Sequence, residues 1–319
     1  MEKFCINVLG AKVRYVSDVP LKEYFDKNKD FMEFYNANFI EDSDEIKYTI
    51  EYHDEKEKGN PIQVDEHKII VKYPFEELTE SIILYLGFHF LERQFGEMKM
   101  CSCHSACVEK NGKAILIIGE AGAGKTSLAV NLCNRGYSLI SNDMTLIGEE
   151  NGNLYAYGGT KFINLRYLSV LQNMPFLDYL FKDKNKDSWL SKISVMARDI
   201  GIDENYSSVL IDSIIFLRMN NNEELTVSSG DTWRNNFLLY QNTSSHIRGT
   251  AATFIDKKGH PIGYIPSMET EETYKNRMEI LKLINENSKY FYVSGCLNDI
   301  MLLIDSLSIR EIQKTLKGE

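Results

Sequence analysis

The chain has 319 residues, enough for one large domain or two of ordinary size. Its apolar content of 43% and charged content of 26% are typical of a globular protein. The net charge of −10 argues against a nucleic-acid-binding surface and against docking on anionic membranes, because both partners are themselves negatively charged.

Cysteine content and apolar runs set the expectation for the cellular compartment. Met1-Glu2-Lys3-Phe4-Cys5 leads into only a short apolar run, which does not fit a secretory signal. The longest apolar run, over residues 82–91, is too short to span a bilayer. Six cysteines in a chain this long do not predict a disulfide scaffold, so we expect reduced thiols in a cytoplasmic protein without a membrane partner.

Residues 1–97 predict a β-rich accessory region, because apolar and polar residues alternate in several short runs. Over residues 76–94 the apolar residues recur at helical spacing, which predicts a connecting helix. No catalytic pattern is found in this region. The strands are expected over residues 4–10, 12–16, 46–52 and 68–73, with a glycine turn between the first two.

A glycine-rich stretch follows an apolar run of buried-strand type over residues 114–118. It fits G-x-x-x-x-G-K-[ST], the phosphate-binding loop of nucleotide-binding proteins. Helical spacing follows over residues 127–135, with Gly136 as a stop signal. A simple glycine turn is the alternative, but it would not require the Lys-Thr pair. The predicted nucleotide-binding residues are Gly119, Glu120, Ala121, Gly122, Ala123, Gly124, Lys125, Thr126 and Ser127.

The residue types in this loop match the chemistry of a nucleoside triphosphate. Glycines allow a tight turn that brings backbone N–H groups close to phosphates. The positive end of the helix that begins near Lys125 faces the same anion. We expect Lys125 to contact the β- and γ-phosphates and the hydroxyl of Thr126 to bind Mg²⁺. The implied cofactors are ATP and Mg²⁺.

Polar residues also end the strand predicted over residues 137–143. Ligands bind at the carboxyl ends of strands in an open sheet, so Asp143 is placed to hold Mg²⁺ or to act as a base. An ordinary turn aspartate is the alternative. Further along, the segment 160–171 contains Lys161, Asn164 and Arg166, and its positive groups either neutralise transferring phosphate oxygens or pair with surface acids.

Three cysteines and a histidine lie close together over residues 101–107. Such a group can bind a metal, but no second C-x-x-C completes a tetrahedral site. Alternation puts Cys101, Cys103 and Cys107 on one strand face, where cysteine often packs as a small hydrophobic residue. For His104 the structural alternative is a histidine packed in the core.

The remaining chain alternates between helical and strand patterns. Residues 173–206 predict a helical segment rich in lysine and aspartate, which we interpret as a solvated lid or an insertion. Strands are expected over residues 213–219, 225–227 and 290–295, and helices over residues 232–240, 271–285, 299–307 and 309–316.

Residues 102–145 resemble the core of the HPr kinase/phosphorylase-like kinases, which are related in fold to phosphoenolpyruvate carboxykinase. The resemblance rests on His104-Ser105-Ala106 ahead of the glycine loop, on Arg135-Gly136-Tyr137 after its helix, and on Leu139-Ile140-Ser141-Asn142-Asp143. Asn164-Leu165-Arg166 is similar to a short motif of the HPr-kinase-related subgroup.

The resemblance implies an α/β fold, with a P-loop kinase core of HPr kinase/phosphoenolpyruvate carboxykinase type and a mixed central sheet. That kinase domain would occupy residues 98–319, after the smaller β-rich region 1–97. Because HPr kinases assemble as hexamers, the resemblance also suggests a homo-oligomer.

The resemblance further implies roles for four catalytic residues. Lys125 would contact the phosphates. Asp143 would hold Mg²⁺ with Thr126 and would also accept the proton of the acceptor hydroxyl. His104 would orient Asp143 or contact the γ-phosphate, and Arg166 would stabilise the transferring group.

The chain departs from the family pattern at two positions. Asn142 stands where HPr kinases have an acid/base aspartate, and Ser127 stands where they commonly have glutamate. The stretch that contributes to phosphorolysis is not recognisable, so HPr itself is not the expected substrate. We predict an ATP- and Mg²⁺-dependent phosphotransferase whose acceptor is a Ser or Thr hydroxyl of a peptide or protein, or a small hydroxylated metabolite. The alternatives are a nucleotide-binding regulatory module, or a nucleotidyl- or carboxykinase-type transferase.

Overall fold

The computed structural model describes residues 1–27, 32, 37–55, 61–78, 80–182, 191–248 and 253–306. Contacts between residues divide the chain into two compact units, the first from residues 1–102 and 243–279, the second from residues 103–242 and 280–306. Each unit is built on its own central sheet. No sequence pattern had indicated that residues 243–279 group with the first unit.

The first unit is built on a six-stranded mixed sheet. Its strands are β1 (Glu2–Val8), β2 (Ala11–Ser17), β3 (Asn38–Ile40), β4 (Tyr48–His53), β5 (Ile62–Val64) and β6 (Lys68–Lys72). Their order is β3-β1-β2-β4-β6-β5, and β4 is parallel to both β2 and β6. The β1–β2 turn consists of Leu9 and Gly10, whose φ angles of 49° and 98° match a two-residue hairpin turn.

Two helices accompany this sheet, α1 (Leu21–Lys27) and α2 (Glu80–Glu97). The connecting helix predicted over residues 76–94 is α2, and a 3₁₀ turn at Phe75–Glu77 precedes it. Gly87 lets α2 approach the sheet, because a Cβ at this position would lie 2.1 Å from the Tyr15 hydroxyl oxygen. Among the described residues, no helix combines the length and the apolar character needed to cross a bilayer.

The second unit is built on an eight-stranded mixed sheet. Its strands in the chain are β7 (Met100–Lys110), β8 (Lys113–Ile118), β9 (Ser138–Ser141), β10 (Met144–Glu150), β11 (Asn153–Gly159), β14 (Val209–Met219), β15 (Thr226–Ser228) and β18 (Lys289–Gly295). The spatial order is β11-β10-β7-β8-β14-β18-β15, with β9 paired to β7. The three neighbours β8, β14 and β18 are parallel, whereas β7 runs antiparallel to β8.

Two smaller sheets, five α-helices and two further 3₁₀ helices, at Pro175–Phe181 and Ala197–Ile200, complete the described elements. The two-stranded sheets pair β12 (Phe162–Arg166) with β13 (Lys192–Met196) and β16 (Thr253–Ile255) with β17 (Pro261–Tyr264). The helices are α3 (Lys125–Cys133), α4 (Tyr167–Asn173), α5 (Thr232–Ser244), α6 (Glu271–Asn287) and α7 (Leu297–Ser306).

One face of the eight-stranded sheet packs against α3 and α7. Ile117 and Leu217 from the central strands belong to one buried cluster with Leu128 and Leu132 of α3 and Ile300 of α7. Because β8, β14 and β18 are parallel, their carboxyl ends meet at one edge. The chain passes from β8 through residues 119–124 into α3 at that edge, where ligands bind in open α/β sheets.

The helical prediction for residues 173–206 is wrong over much of its length. After α4 the chain forms a 3₁₀ helix at Pro175–Phe181, and Lys192–Met196 is the strand β13. The strand arises because residues 192–196 pair in full register with β12, a long-range contact that overrides local propensity. Residues 183–190 of the same segment, and the helix predicted over residues 309–316, lie outside the described residues.

Candidate functional site

The loop between β8 and α3 has the backbone of a tight glycine turn. Gly122 and Gly124 have φ angles of 86° and 96°, in the left-handed region that favours glycine. A Cβ at Gly124 would lie 2.7 Å from the Cβ of Met219, and one at Gly119 would lie 2.6 Å from the Leu217 carbonyl oxygen. The loop therefore lies directly on the end of β14, where side chains do not fit at two glycine positions.

Lys125 lies inside the concave side of this loop. Its side-chain nitrogen donates hydrogen bonds to the carbonyl oxygens of Gly119 at 2.7 Å and Glu120 at 3.3 Å. The residue is 8% exposed. Burial lowers the pKa of Lys125, and the nearby carboxylate of Asp143 opposes that shift. The loop thus surrounds a buried amine whose charge interacts with Asp143.

Thr126 and Ser127 lie in the first turn of α3. The first N–H groups of a helix have no acceptor within the helix and carry the positive end of its dipole. Gly124 is the N-cap residue and provides no side-chain cap, and the first turn contains no acidic residue. The positive end of α3 is therefore not compensated by acidic side chains of its own first turn. Ser127 is buried and Thr126 is half-buried.

His104 and Asp143 form a pair beside this loop. His104 Nε2 lies 3.6 Å from Asp143 Oδ1, and the two side chains are 41% and 54% exposed. The peptide N–H of Ser105 donates to the Asp143 carbonyl oxygen at 3.1 Å, which joins β7 to the turn between β9 and β10. An exposed pair of this kind contributes little to stability. His104 is therefore accessible at the sheet edge and is not enclosed in the core.

Asn142 points the opposite way from Asp143. It is 3% exposed, and its Nδ2 donates to the Phe162 carbonyl oxygen at 2.9 Å. Its Oδ1 has no hydrogen-bond partner among the residues that the structure describes. The residue that replaces the family's aspartate is thus a buried structural contact, and Asp143 is the carboxylate that faces outward.

The positively charged residues of segment 160–166 have separate roles. Lys161 is 2% exposed, and its Nζ donates to the carbonyl oxygens of Leu139 at 3.0 Å, Ile140 at 2.5 Å and Asn205 at 2.7 Å. Burial lowers the pKa of Lys161 to about 8. Lys161 therefore joins three backbone carbonyl groups in the interior, and it is not placed to contact phosphate. Arg166 is exposed at the end of β12, opposite Lys192 of β13.

The cysteines of β7 are packed thiols. Cys101, Cys103 and Cys107 are all buried, and burial raises the pKa of Cys103 to about 12. Within the described ranges of the chain, no group of three or more His, Cys, Asp or Glu side chains has an arrangement that could hold a metal ion. The Cys-rich segment thus provides strand packing beneath His104.

The sequence analysis did not identify the buried threonine and serine hydroxyls near Asp143. Thr160 Oγ1 accepts hydrogen bonds from the N–H groups of Asp143 and Met144 at 2.9 Å and 3.0 Å. Ser105, Thr145 and Ser141 form a chain of buried hydroxyls, with Oγ–Oγ1 distances to Thr145 of 2.7 Å and 2.6 Å. The adjacent glycines before Thr160 were a signal for this close approach, since such pairs mark places where backbones meet.

Comparison with known proteins identifies relatives of this region. The HPr Serine kinase C-terminal domain matches residues 97–173. An HPr kinase/phosphorylase of Clostridium botulinum is 27% identical over 166 residues, which cover 52% of this chain and 50% of the relative. That of Mycoplasmopsis pulmonis is 33% identical over 112 residues, 35% of this chain and 33% of the relative. That of Prosthecochloris aestuarii is 29% identical over 92 residues, 28% of this chain and 26% of the relative.

These curated relatives extend well beyond the matched region. The chain covers between 26% and 50% of their length. Among solved structures, the Hpr(Ser) kinase/phosphatase from Coxiella burnetii aligns with 41% of this chain and 66% of its own, at 18% identity and a TM-score of 0.26. A TM-score this low supports no conclusion about the arrangement of the fold. The sequence matches confirm the predicted resemblance of residues 102–145 to HPr kinases.

Proposed function

We propose, from the similarity of residues 97–173 to the HPr Serine kinase C-terminal domain, that this chain is an ATP- and Mg²⁺-dependent phosphotransferase with a P-loop kinase core. The acceptor would be a Ser or Thr hydroxyl of a peptide or protein, or a small hydroxylated metabolite. One observation carries the proposal. Lys125 is buried in the glycine loop, where its Nζ donates to the carbonyl oxygens of Gly119 and Glu120, and the exposed Asp143 is paired with His104 at 3.6 Å.

The loop fits the phosphates of a nucleotide. Phosphate needs hydrogen-bond donors and positive charge, and the loop combines Lys125 with the uncapped first turn of α3. Gly122 leaves open space, since a Cβ there would meet no atom of the described residues within 4 Å. Lys125 Nζ donates to two loop carbonyl oxygens, and phosphate oxygens of a bound nucleotide would replace them as acceptors.

The donor set also fits Mg²⁺. A hydroxyl and a carboxylate are the oxygen ligands that this ion prefers, with substrate phosphates and water completing its shell. Thr126 and Asp143 would hold it. When bound, the ion neutralises charge on the phosphate oxygens.

Asp143 is the residue we assign to the proton of the acceptor hydroxyl. Asn142 cannot take this role, because an amide is not a base and its side chain is buried against Phe162. His104, at 3.6 Å from the carboxylate, would orient Asp143. Arg166, exposed at the end of β12, would stabilise the transferring group. Phosphoryl transfer depends mostly on positioning and charge neutralisation, which this set of residues provides.

A nucleotide-binding regulatory module is the second candidate, and the orientation of Asn142 favours it. HPr kinases have two aspartates at the end of this strand. Here Asn142 replaces the first and is turned inward, so Asp143 is the one carboxylate that remains. Such a module would bind nucleotide tightly and transfer phosphate slowly or not at all.

The names of the relatives indicate only the general class of acceptor. The curated relatives are named for HPr, and the matching domain is named as an HPr serine kinase. We propose a hydroxyl acceptor of peptide, protein or metabolite type, a kinase domain over residues 98–319, and a homo-oligomeric, cytoplasmic protein. Phosphorolysis is the part of HPr kinase chemistry that we do not propose for this chain, because the stretch that contributes to it in HPr kinases is not recognisable in the sequence.

An acceptor screen by mass spectrometry tests this function. Wild type is incubated with ATP, Mg²⁺ and candidate peptides, proteins and metabolites, beside Lys125→Ala and the control Lys113→Ala. Lys113 is exposed at the opposite end of β8, where it pairs with Asp212 at 3.6 Å. We expect a mass gain of one phosphate with wild type and Lys113→Ala and none with Lys125→Ala.

Other outcomes separate the alternatives. Tight nucleotide binding without transfer to any acceptor would favour the regulatory module. A mass gain of one nucleotidyl group, or phosphoenolpyruvate formation, would show a different transfer reaction and overturn the kinase proposal.

A further inference from the structure

The backbone around Asp143 is held by a residue distant in sequence, Thr160. Its Oγ1 accepts hydrogen bonds from the N–H groups of Asp143 at 2.9 Å and Met144 at 3.0 Å. Its own N–H donates to the Met144 carbonyl oxygen at 3.1 Å, and its carbonyl oxygen accepts from the Asn142 N–H at 2.8 Å. Thr160 is 3% exposed. One buried threonine therefore bonds the backbone of three consecutive residues, 142–144.

The neighbours of Thr160 make this contact close. Gly159 has a φ of 150°, and a Cβ there would lie 1.8 Å from the Met144 carbonyl oxygen. On the other side, the Phe162 carbonyl oxygen accepts the side-chain N–H of Asn142 at 2.9 Å. The turn between β9 and β10 is thus attached to segment 159–162 at several points, and its backbone has little freedom to shift.

The Asp143 side chain itself is not enclosed. It is 54% exposed, and its carboxylate lies 3.6 Å from His104 Nε2. Reacting groups must be held to within a fraction of an ångström, and a shift of about 1 Å can lower a rate about a hundredfold. An exposed side chain meets that requirement only if its backbone is fixed.

We propose that Thr160 is a positioning residue: its hydroxyl fixes the backbone of Asp143 so that the carboxylate stays directed at His104. The inference rests on the phosphotransferase function proposed above, and it adds a residue that no motif of the sequence indicated. Thr160 touches no substrate and acts only through Asp143.

Thr273 offers a matched control. It is fully buried, and its Oγ1 accepts a hydrogen bond from the backbone N–H of Thr270 at 2.9 Å. Replacing either threonine by valine removes a buried hydroxyl at nearly constant volume. Only the change at residue 160 removes the acceptor of the Asp143 N–H.

The test compares Thr160→Val, Thr160→Ser and Thr273→Val with wild type. The measurements are kcat and KM for phosphoryl transfer, and the NMR signals of the His104 imidazole, assigned with His104→Gln. We expect Thr160→Val to lower kcat about 10- to 100-fold, to change the KM for ATP less than about twofold, and to shift the His104 signals. Thr160→Ser, which keeps the hydroxyl, should restore both, and Thr273→Val should change neither.

Two results would overturn the inference. One is a Thr160→Val protein with wild-type kcat and unchanged His104 signals. The other is an equal loss in Thr273→Val, which would show a general effect of buried hydroxyls. If Thr160→Val does not fold, Thr160→Cys takes its place, because a thiol is a weaker acceptor than a hydroxyl, and the same direction is expected.

Failure of the proposed function gives a different pattern. Wild type would then transfer no phosphate to any acceptor, and the His104 signals alone would decide. A shift of these signals in Thr160→Val, with recovery in Thr160→Ser, supports the positioning role, and their constancy refutes it.

Discussion

The N–H of Met219 donates a hydrogen bond to the carbonyl oxygen of Ala123 at 2.9 Å, which ties the glycine loop to the end of β14. The loop begins at the end of β8, and β8 and β14 are parallel neighbours in the sheet. The phosphate-binding loop is therefore attached to two central strands. Its shape depends on a residue almost one hundred positions away, as much as on its own glycines.

This attachment predicts a large effect of Gly124→Ala. The substitution combines a φ of 96° with a Cβ that would lie 2.7 Å from the Cβ of Met219. Gly112→Ala is the control, because Gly112 has a φ of 74° but its added Cβ would meet no atom within 4 Å among the described parts of the chain. We expect both to lose about 1–2 kcal/mol of stability to backbone strain, and Gly124→Ala to lose about 1–3 kcal/mol more to overpacking. Urea unfolding and nucleotide titration check this, and equal losses would contradict it.

Asn142→Asp should destabilise the protein and should not raise the transfer rate. An ionised carboxylate cannot donate to the Phe162 carbonyl oxygen, and residue 142 is 3% exposed. We expect a loss of roughly 1–3 kcal/mol, more if the carboxylate stays charged. Asn164→Asp is the control, because Asn164 is exposed and its Oδ1 accepts from Ser194 at 2.6 Å, a role that a carboxylate retains. A stable Asn142→Asp protein with faster transfer would show that this position can be catalytic.

Lys161 should make stability rise with pH in the alkaline range. Burial lowers its pKa from 10.5 to about 8. Between these values the unfolded chain binds a proton that the folded chain does not, so the free energy of unfolding increases with pH, by up to roughly 3 kcal/mol. Other groups titrate in this range as well, so the measurement is a difference. Urea unfolding at pH 7.5 and 9.5 should show a smaller increase for Lys161→Met than for wild type or for the exposed-site control Lys192→Met.

His89 should make the protein less stable as the pH falls in the acidic range. It is 7% exposed on α2, and burial, together with the charge of His246, lowers the pKa of His89 from 6.5 to about 4. Below pH 6.5 the unfolded chain gains a proton that the folded chain excludes, so this residue lowers stability as pH falls from 6.5 towards 4. His89→Phe should reduce the loss of stability between pH 7 and 5, and the exposed His67→Phe should not. Parallel pH profiles of wild type and His89→Phe would refute this explanation.

The strand, glycine loop and helix over residues 113–133 could be predicted from sequence because their signals are local. An apolar run, a glycine pattern and helical spacing follow one another in the chain, and β8, the loop and α3 do the same in the structure. The resemblance to HPr kinases depends on the same compact region. The three-residue strands β3 and β5 were not predicted, since so few residues carry little periodicity.

The sequence by itself determined the β-rich character of the first region and the strand–loop–helix at Lys125. It also determined that Asp143 lies at the polar end of a strand. Only the tertiary structure decided that Asn142 turns inward while Asp143 faces out, that Lys161 braces three carbonyl groups, and that Thr160 supports Asp143. It also decided that residues 192–196 form a strand. The physical reason is common to all four. Burial and hydrogen bonding of these residues depend on partners far away in the chain, and such contacts outweigh local propensity.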